Sequence, residues 1–541
     1  MKRFIAFCFW AFLVLTACAD SVRQIKVENR FLILPICNSA EKQTVEITDE
    51  NGIRVHQFIV TLANAPEQAN WWSFLDVQEY AGQTLTLKST GAGSSAETLA
   101  LVQNLAEVPR REPLFAERLR PQLRFSQIQG WNNDPNGMFF WNGEFHLFWQ
   151  SNPVGLPWGN MYWGHAVSKD LVHWVELPLA LRPFGHDLPK EKKVPSMAVG
   201  QCFSGCAVPA WDSGNGDLLA FFTDTAVGEA LAVSHDAGRT WTYEGLLVPH
   251  RGRDPQLNWF PETKTWLMSV YDERDAGGNV ERLIAFYQSK DRKNWERTGE
   301  IRDFYECPNL NRLAVDGDPA NTRWVLWAAD GQYVVGDFDG KTFVPEHEGK
   351  FRVHYGRFYA SQCFSNTPGR LIQIGWAQVP MDENTPFNQA FTLPIELTLR
   401  TTPAGIRLFA EPVKELEVLR QESKETSGEG PVTTIDLAGF GDGQLYEVEV
   451  TLDAAQNAAF AFGKNQIVWN ASERRLDEMP LEPQDGKITF RLFIDRPMYE
   501  ISAQRGAAYK TAGRQDSGEK FQSFELRGAG TVKVWSLKGI H

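Results

Sequence analysis

Short apolar runs separated by turn-forming residues occur along almost the whole chain. In the first hundred residues, the runs 44–48 and 53–61 are joined by Glu50-Asn51-Gly52. An Asn-Gly pair between two such runs is a strong hairpin signal, because both turn residues are expected to adopt a positive φ. The pattern predicts a small N-terminal β-domain over residues 18–108.

A repeated motif, with a serine and an aspartate followed by an aromatic residue, occupies the centre of the chain. Successive aromatic ends are 67, 54 and 48 residues apart, which suits the four-stranded blade of a β-propeller. We assign the motif to architecture: the aspartate closes a turn and the aromatic ring packs between neighbouring sheets. Residues 109–402 are therefore predicted to form a five-bladed β-propeller. The copies are Ser168-Lys169-Asp170 with Trp174, Ser234-His235-Asp236 with Trp241, Ser289-Lys290-Asp291 with Trp295, and a weaker one from Gly336 to Phe343.

The C-terminal part also alternates between apolar runs and turns. The runs 445–452, 488–494 and 531–537 are typical of a β-sandwich, which we assign to residues 431–541. The charged stretch 403–430 is predicted to be a linker with a short helix. The fold class is thus all-β: a five-bladed β-propeller followed by a C-terminal β-sandwich, with an extra small N-terminal β-domain.

The composition is that of a modular globular protein. The chain has 541 residues, whereas single cores stop growing near roughly 250–300 residues. Hydrophobic residues make up 43% and aromatic residues 12%, with 19 tryptophans, which excludes a disordered, collagen-like or coiled-coil chain. The formal net charge of −13 repels phosphate backbones, so nucleic acid is not expected as a partner.

The N-terminus has the pattern of an export signal. Lys2-Arg3, the apolar run 4–15 and the small residues that follow predict a signal peptide over residues 1–17. Leu15-Thr16-Ala17-Cys18 also resembles a bacterial lipobox, whose cysteine is lipidated. We therefore expect an exported, lipid-anchored bacterial envelope protein, periplasmic or at the cell surface, that meets the membrane through this lipid only. Plain signal cleavage near Cys18 is the alternative.

The remaining cysteines do not indicate a disulfide framework. Five are left once Cys8 and Cys18 are set aside, an odd number without a C-x-x-C pair, so a zinc site is not implied either. We expect them to be small buried hydrophobic residues. Cys307 differs from the others because it adjoins a candidate catalytic acid.

Three carboxylic acids stand in unusual local settings. They are separated by 120 and 52 residues, about two blades and one blade, so a propeller is able to bring them to one axis. Asn and Asp before Pro and Gly also predict a constrained turn ahead of the apolar run 138–141. The three settings are Asp134 in Trp131-Asn132-Asn133-Asp134-Pro135-Asn136-Gly137, Asp254 in Arg253-Asp254-Pro255, and Glu306 in Tyr305-Glu306-Cys307-Pro308.

These motifs resemble those of glycoside hydrolase family 32, the levanase, inulinase and invertase group of β-fructofuranosidases. The segment 131–137 is similar to the family's W-M-N-D-P-N-G signature, with Asn132 in place of Met. Residues 253–255 match its R-D-P motif and residues 306–308 its E-C-P motif. The resemblance covers the chain from residue 111 to the C-terminus, with further matches at 145–150, 158–159, 163–166, 203–206, 374–376, 393–397 and 492–500.

The resemblance implies a retaining glycoside hydrolase that releases fructose from fructans (levan or inulin) and from sucrose. It gives Asp134 the role of nucleophile, Glu306 that of acid/base, and Asp254 that of binding fructosyl hydroxyls in the transition state. Retention through a covalent fructosyl-enzyme predicts roughly 5–5.5 Å between the Asp134 and Glu306 carboxyl groups. No metal or organic cofactor is expected, because two carboxylates supply the acid, base and nucleophile.

The resemblance also implies the residues that bind one fructosyl unit. Sugars present hydroxyl edges and C–H faces, so polar groups and aromatic rings are needed together. The implied hydrogen-bonding residues are Asn133, Asn136, Gln150, Ser204 and Arg253, and the implied apolar walls are Trp158, Phe203 and Trp376.

Two departures from the family pattern bear on substrate preference. Asn309 and Arg357 stand where many members carry an acid. Both changes remove negative charge, and we expect them near the rim of the pocket, where they would alter substrate preference more than the reaction.

Two other functions are weighed against this one. Residues 234–241 match the Asp-box of sialidase-like propeller hydrolases, but an Asp-box is a fold element. A non-catalytic fructan-binding lipoprotein is the second alternative, although a binder does not need the nucleophile Asp134. The sequence does not decide between β-2,6 and β-2,1 linkages, or between exo and endo action.

Overall fold

The structure is a computed structural model that describes residues 20–183, 200–248, 252–382 and 385–541. Strands make up 55% of the chain and helices 3%, so the all-β prediction is confirmed. The proposed signal peptide and Cys18 lie outside the described residues. Within these ranges, no helix has the length and apolarity needed to cross a membrane. Two compact units are present, one up to residue 108 without 71–74 and the other formed by 71–74 and 109–541.

The N-terminal unit contains a four-stranded sheet in the order Ser21–Lys26, Thr84–Thr90, Gln43–Thr48 and Arg54–Val60. The predicted hairpin between the last two strands is confirmed. Its turn differs from the expectation, since Gly52 has a φ of +75° but Asn51 does not have a positive φ. The Asp49 carboxylate explains the difference, because it accepts hydrogen bonds from the backbone N–H groups of Asn51 and Ile53 and stabilises another turn type. The other elements of this region are Phe31–Ile36, Pro66–Gln68, Trp71–Asp76, Gln78–Tyr80, Ala96–Ala100 and Gln103–Leu105.

The central part of the second unit is the predicted five-bladed propeller. Each blade in the described part of the chain is a four-stranded antiparallel sheet, and its first strand lies innermost. The ring is closed where Phe387–Asn388 pairs in parallel with the start of the first strand of blade 1. The strands are Gly130–Trp141, Glu144–Asn152, Tyr162–Ser168 and Trp174–Leu181 in blade 1; Cys202–Pro209, Leu218–Asp224, Gly228–Ser234 and Thr242–Val248 in blade 2; Arg253–Phe260, Thr265–Asp275, Val280–Ser289 and Glu296–Arg302 in blade 3; Asn309–Val315, Asp318–Trp327, Gln332–Phe338 and Phe343–Pro345 in blade 4; Phe358–Cys363, Ile372–Ala377, Ile395–Thr402 and Gly405–Pro412 in blade 5.

The repeated motif has the architectural role expected of it. The Asp170 carboxylate accepts hydrogen bonds from the N–H groups of Val172 and His173, and Asp291 makes the equivalent turn. Trp241 packs on the core shared by blades 1 and 2, and Trp295 on the core shared by blades 2 and 3. The motif therefore builds the blades and takes no part in chemistry.

The C-terminal β-sandwich packs a seven-stranded sheet against a six-stranded one around a large apolar core. The first sheet consists of His354–Gly356, Ala508–Gly513, Met498–Ala503, Lys487–Ile494, Tyr446–Asp453, Gly530–Leu537 and Arg420–Gly428. The second consists of Thr433–Asp436, Ser523–Arg527, Ala458–Phe462, Asn465–Asn470, Arg475–Leu476 and Met479–Pro480.

The prediction of a linker over residues 403–430 is wrong, although the short helix predicted within it is present. Gly405–Pro412 is the last strand of blade 5, Lys414–Leu419 is a short 3-10 helix, and Arg420–Gly428 pairs with Gly530–Leu537 of the sandwich. The charged residues that suggested a linker lie on exposed faces, whereas Leu416 and Leu419 are buried.

A buried ionic cluster joins the propeller to the sandwich. The guanidinium of Arg124, just before blade 1, pairs with Asp495 at 3.1 Å and with Glu500. All three side chains are inaccessible to solvent. Asp495 also accepts the N–H of Leu123, and Glu500 accepts that of Leu393. Each charge of this cluster requires its partners, because a buried charge that lacks them destabilises the folded state.

Candidate active site

Asp134 lies inside the first strand of blade 1 and not in a turn before it, as the sequence had suggested. Pro135 has no N–H to donate to the sheet, and the register shifts between Asn132 and Pro135 and again before Phe139. Gly137 has a φ of +55°, and a Cβ atom there would lie 2.5 Å from the ring of Trp163. The motif is thus an interrupted strand, whose bulges aim its side chains differently from those of a regular strand.

The carboxylate of Asp134 is held by four donors. Its Oδ1 accepts a hydrogen bond from Asn133 at 3.0 Å. Its Oδ2 accepts from Gln150 at 3.1 Å and from Ser204 at 2.7 Å, and the thiol of Cys307 lies 3.5 Å from the same atom. Gln150 also donates to Ser204 at 2.6 Å. Three predicted substrate-binding residues therefore fix the predicted nucleophile.

Asp254 is the second residue of the innermost strand of blade 3 and has a left-handed backbone, at a φ of +64°. Its N–H donates to the hydroxyl of Thr223 at 2.9 Å, and that hydroxyl donates to the buried Glu229 at 2.8 Å. Its Oδ2 accepts the N–H of Cys307 at 3.1 Å. A left-handed aspartate is strained by about 1–2 kcal/mol, so the surrounding hydrogen bonds must hold it in place.

Cys307 links two of the acids. Its thiol lies 3.5 Å from Oδ2 of Asp134 and 3.6 Å from Oδ2 of Asp254. Burial, followed by the charges of Asp254 and Asp134, raises the pKa of this thiol well above its ordinary value. The thiol therefore keeps its proton and shares it between the two carboxyl groups.

Glu306 is oriented by an arginine and a tyrosine. Arg253 donates to Oε1 from Nη2 at 2.5 Å and from Nε at 3.2 Å, and the hydroxyl of Tyr359 lies 2.8 Å from Oε2. Both Glu306 and Cys307 have a positive φ, at +55° and +44°. The backbone therefore bends at Glu306 and Cys307, and hydrogen bonds hold both carboxyl oxygens of Glu306.

The carboxyl groups perturb one another. Burial raises the pKa of Asp254 to about 7, and the charges of Asp134 and Glu306 add to this shift, while Arg253 and the N–H of Cys307 oppose it. Burial also raises the pKa of Asp134; hydrogen bonds from Asn133 and Ser204 act in the opposite direction. A site with several close carboxyl groups suits proton transfer between protein and substrate.

Aromatic rings stand beside the polar cluster. Trp376 meets the ring of Trp131 edge-on with centroids 5.9 Å apart, and its indole N–H donates to Gln389 at 3.1 Å. Trp158 and Phe203 form a second edge-on pair at 5.9 Å, and Phe203 directly precedes Ser204. Trp158 is 52% exposed and therefore offers a free ring face.

Two sequence expectations do not agree with the structure. Asn136 is completely buried and pairs with no side chain in the described ranges, so it has no surface with which to contact a sugar. Asn309 is also completely buried, and not at the rim; its amide donates to the carbonyls of Cys307 and Ser361. An ionised acid is unable to make those two donations, which explains an amide here. Arg357 is exposed, and its place at the rim of the pocket stays a prediction.

Three residues that orient the site are not among those predicted from the sequence. Tyr359, which binds Glu306, lies two residues after Arg357, in a segment where the only feature noted is the change at Arg357. Thr223 lies in a fully buried strand, and Gln389 lies between the short strands Phe387–Asn388 and Ala390–Phe391, so the local pattern signals a role for neither residue. Thr223 acts through the backbone N–H of Asp254, and Gln389 through the indole N–H of Trp376. Contacts of this kind cannot be recognised from a single sequence.

Oxygen atoms of Asp134 and Asp254 and the sulfur of Cys307 lie within 4.8 Å of one another, close enough to bind a cation. Metal binding by cysteine requires the thiolate. Burial and the two carboxylates raise the pKa of the Cys307 thiol, so a cation would have to displace the thiol proton before it could bind there.

Comparison with known proteins shows which family the chain resembles. The family model for the N-terminal domain of glycosyl hydrolases family 32 matches residues 125–412. A levanase of Bacillus subtilis (strain 168) is 34% identical over 76% of this chain and 68% of its own length. An extracellular exo-inulinase of Aspergillus awamori is 26% identical over 74% of this chain and 90% of its own length.

A solved structure shows the same fold. The exo-inulinase from Aspergillus awamori superposes with a TM-score of 0.67 at 24% identity, covering 79% of this chain and all of that one. The family model spans all three acids, which lie in the first strands of blades 1 and 3 and in the segment just before blade 4. The chain belongs to glycoside hydrolase family 32.

Proposed function

We propose that this protein is a retaining β-fructofuranosidase that releases fructose from fructans and sucrose. The observation that carries the proposal is the linked acid cluster: Asp134 and Asp254 share the thiol proton of Cys307, and Arg253 binds Glu306. The relatives support the substrate class, since they are named levanase, exo-inulinase and sucrose-6-phosphate hydrolase. A solved relative from Bombyx mori is described in complex with sucrose.

Asp134 is the proposed nucleophile. Three donors surround its Oδ2, whereas Oδ1 accepts from Asn133 alone, so Oδ1 has a lone pair left for attack on the anomeric carbon. As the new C–O bond forms, the bond to the leaving oxygen breaks and that oxygen takes a proton from Glu306. Water then attacks the fructosyl-enzyme, gives its proton to Glu306 and frees Asp134.

Arg253 and Tyr359 each form hydrogen bonds with one oxygen atom of the Glu306 carboxyl group. The guanidinium occupies Oε1, which leaves Oε2, beside the Tyr359 hydroxyl, as the atom that carries the transferable proton. Asp254 then binds fructosyl hydroxyls, and its pKa of about 7 lets it act as donor or acceptor near neutral pH. Gln150 and Ser204, which bind Asp134, are further proposed ligands of sugar hydroxyls.

The test compares fructose release from levan, inulin and sucrose by wild type and Asp134→Asn. The variant should lose at least about a thousandfold in kcat, because an amide cannot form the covalent intermediate. Asp453→Asn, an exposed aspartate of the sandwich, is the matched control and should retain full activity. Absence of fructose release by wild type from all three substrates would contradict the proposal and favour the non-catalytic fructan binder. An inverted configuration in the first product would overturn the retaining mechanism alone.

Neither alternative function has a specific observation in its favour. The Asp-box at 234–241 forms a turn in which Asp236 accepts the N–H of Thr240, and it lies apart from the acids in the chain.

We also propose export with a lipid on Cys18, supported by the lipobox-like segment and by relatives named extracellular. Metabolic labelling with a fatty acid, lost in Cys18→Ala, tests the anchor.

A further inference from the structure

Four side chains form an alternating row of cations and aromatic rings beside Glu306. The guanidinium of Arg282 lies 4.3 Å from the ring centroid of Tyr305, and that of Arg253 lies 5.6 Å from the same centroid. Arg253 also lies 4.6 Å from the ring centroid of Tyr271. Arg253 orients Glu306, but neither tyrosine takes part in the proposed catalytic steps.

The sheet of blade 3 places Tyr271 opposite Arg253. The two residues are a cross-strand pair of the first two strands of this blade, and such pairs bring their side chains within reach of each other. Tyr271 is completely buried, and its hydroxyl donates to Glu273 at 2.5 Å. Burial, followed by this hydrogen bond, raises the pKa of Tyr271 above its ordinary value, so the phenol stays protonated and the ring stays neutral.

The two tyrosine rings form a corner around the guanidinium of Arg253. They meet nearly edge-on, with centroids 5.2 Å apart and an interplanar angle of 85°, and Nη2 of Arg253 donates to the Tyr305 hydroxyl at 3.3 Å. An arginine is attracted to aromatic rings, and its planar fork keeps one orientation when it lies against them. The rings of Tyr271 and Tyr305 therefore fix the direction in which the N–H groups of Arg253 point.

Two acids are within reach of this guanidinium, and one of them receives its hydrogen bonds. Nε and Nη2 of Arg253 donate to Oε1 of Glu306 at 3.2 and 2.5 Å. Nε is also 3.9 Å from Oδ2 of Asp254, which is too far for a hydrogen bond. A guanidinium that is not held by the rings would be attracted to both carboxyl groups, so the preference for Glu306 depends on the corner.

We propose that Tyr271 is a positioning residue for the acid/base: it holds Arg253 on Oε1 of Glu306 and so keeps the transferable proton on Oε2. The inference rests on the proposed function and adds a residue that acts through Arg253 without contact with the sugar. Loss of the ring lets Arg253 turn away from Oε1, and the carboxyl group of Glu306 then rotates. Proton transfer to the leaving oxygen becomes slower, whereas attack by Asp134 does not need that proton.

The experiment compares two substrates that differ in their need for a proton. The leaving oxygen of sucrose takes the proton of Glu306, whereas β-D-fructofuranosyl fluoride releases fluoride, which departs with the bonding electron pair and needs little protonation. The kcat/KM of Tyr271→Leu on sucrose should fall about tenfold, since a partly desolvated cation–aromatic contact is lost. Its kcat/KM on the fluoride should stay within about twofold of wild type, because the lost contact serves proton donation only.

Three further variants control the comparison. Tyr271→Phe keeps the ring and should keep the sucrose value of wild type, because the hydroxyl donates to Glu273 and not to Arg253. Tyr271→Met fills the space without a ring and should repeat the effect of leucine, which covers the case in which the leucine variant does not fold. Phe286→Leu is the matched control: it removes another completely buried ring of the same core and should change kcat/KM on both substrates by the same factor. Equal losses on the two substrates, or an unchanged sucrose value, in a folded variant without the Tyr271 ring would overturn the inference.

Crystal structures of the variants separate this inference from the proposed function. In Tyr271→Phe the guanidinium of Arg253 should keep both hydrogen bonds to Oε1 of Glu306, and in Tyr271→Leu and Tyr271→Met it should lose them. Retention of both hydrogen bonds in the leucine and methionine variants would overturn the positioning role whatever the activity. If wild type releases no fructose from levan, inulin or sucrose, the proposed function fails, and the crystal structures still decide whether Tyr271 positions Arg253.

Discussion

Asp254→Asn should stabilise the protein while it destroys activity, and the gain should depend on pH. Burial together with the neighbouring carboxylates raises the pKa of Asp254 from an ordinary value of 3.8 to about 7. The folded state therefore holds this proton more tightly than the unfolded state. Its stabilising effect is complete below about pH 4 and is lost as the pH rises through about 7.

The size of the effect follows from the shift. About three pKa units at roughly 1.4 kcal/mol each give a penalty of about 4 kcal/mol for ionised Asp254 at pH 8. At pH 5 less than half of this penalty has developed. Asparagine has no ionised form, and its Oδ1 atom is still able to accept the N–H of Cys307, so the variant avoids the penalty and keeps that contact.

The assay is thermal unfolding followed by tryptophan fluorescence at pH 5 and pH 8, with kcat measured in parallel. The difference in Tm between Asp254→Asn and wild type should grow from pH 5 to pH 8, whereas Asp453→Asn should give a difference that does not change with pH. Fructose release by Asp254→Asn should fall by two or more orders of magnitude. A Tm gain that is the same at both pH values, or that shrinks at pH 8, would refute the electrostatic reasoning.

Two further variants test how the site and the fold are held. Thr223→Val removes the acceptor of the Asp254 N–H and should lower kcat on sucrose about 10- to 100-fold, because the strained backbone loses a buried hydrogen bond worth about 1–3 kcal/mol. Thr223→Ser keeps the hydroxyl and should keep most of the rate. A drop in Tm without a change in kcat would mean that Thr223 contributes to stability only. Arg124→Met leaves two buried carboxylates without their cation and should cost about 3–5 kcal/mol of unfolding free energy, seen as a large fall in Tm. Arg474→Met, which breaks an exposed pair with Glu482, should change Tm little, and equal effects of the two would contradict the account.

The blades and the acids were predictable from sequence because their signals are local. The serine-aspartate-tryptophan copies mark turns that each blade must make, and the acid motifs lie where strands begin or are interrupted. The placement of Asn136 was not predictable, because it depends on which side of an interrupted strand faces the pocket. A shift of one residue reverses that side, and the register shifts once before Pro135 and again after Asn136. The burial of Asn309 depends on its hydrogen bond to the carbonyl of Ser361, a contact between distant residues that the local motif does not reveal.

The error at residues 403–430 has a different physical origin. Strands at a sheet edge present one face to solvent, so Arg420–Gly428 is rich in charged residues and reads as a linker. The pairing that makes it a strand is with Gly530–Leu537, more than a hundred residues later. The charged composition of a segment indicates that it is exposed to solvent, but it does not indicate which distant strand the segment pairs with.

The Arg124 cluster also constrains the order in which the protein is made and folded. Arg124 binds Asp495 and Glu500, which follow it by 371 and 376 residues in the sequence. The edge of the first strand of blade 1 is covered only when Phe387–Asn388 pairs with it. A chain that emerges from its N-terminus therefore carries an open strand edge until residues 387–388 have followed, and an uncompensated arginine until residues 495–500 have followed. Pairings of this length slow folding, and open edges recruit other chains. Yield should consequently depend on the synthesis rate and concentration of the protein more steeply than its final stability suggests.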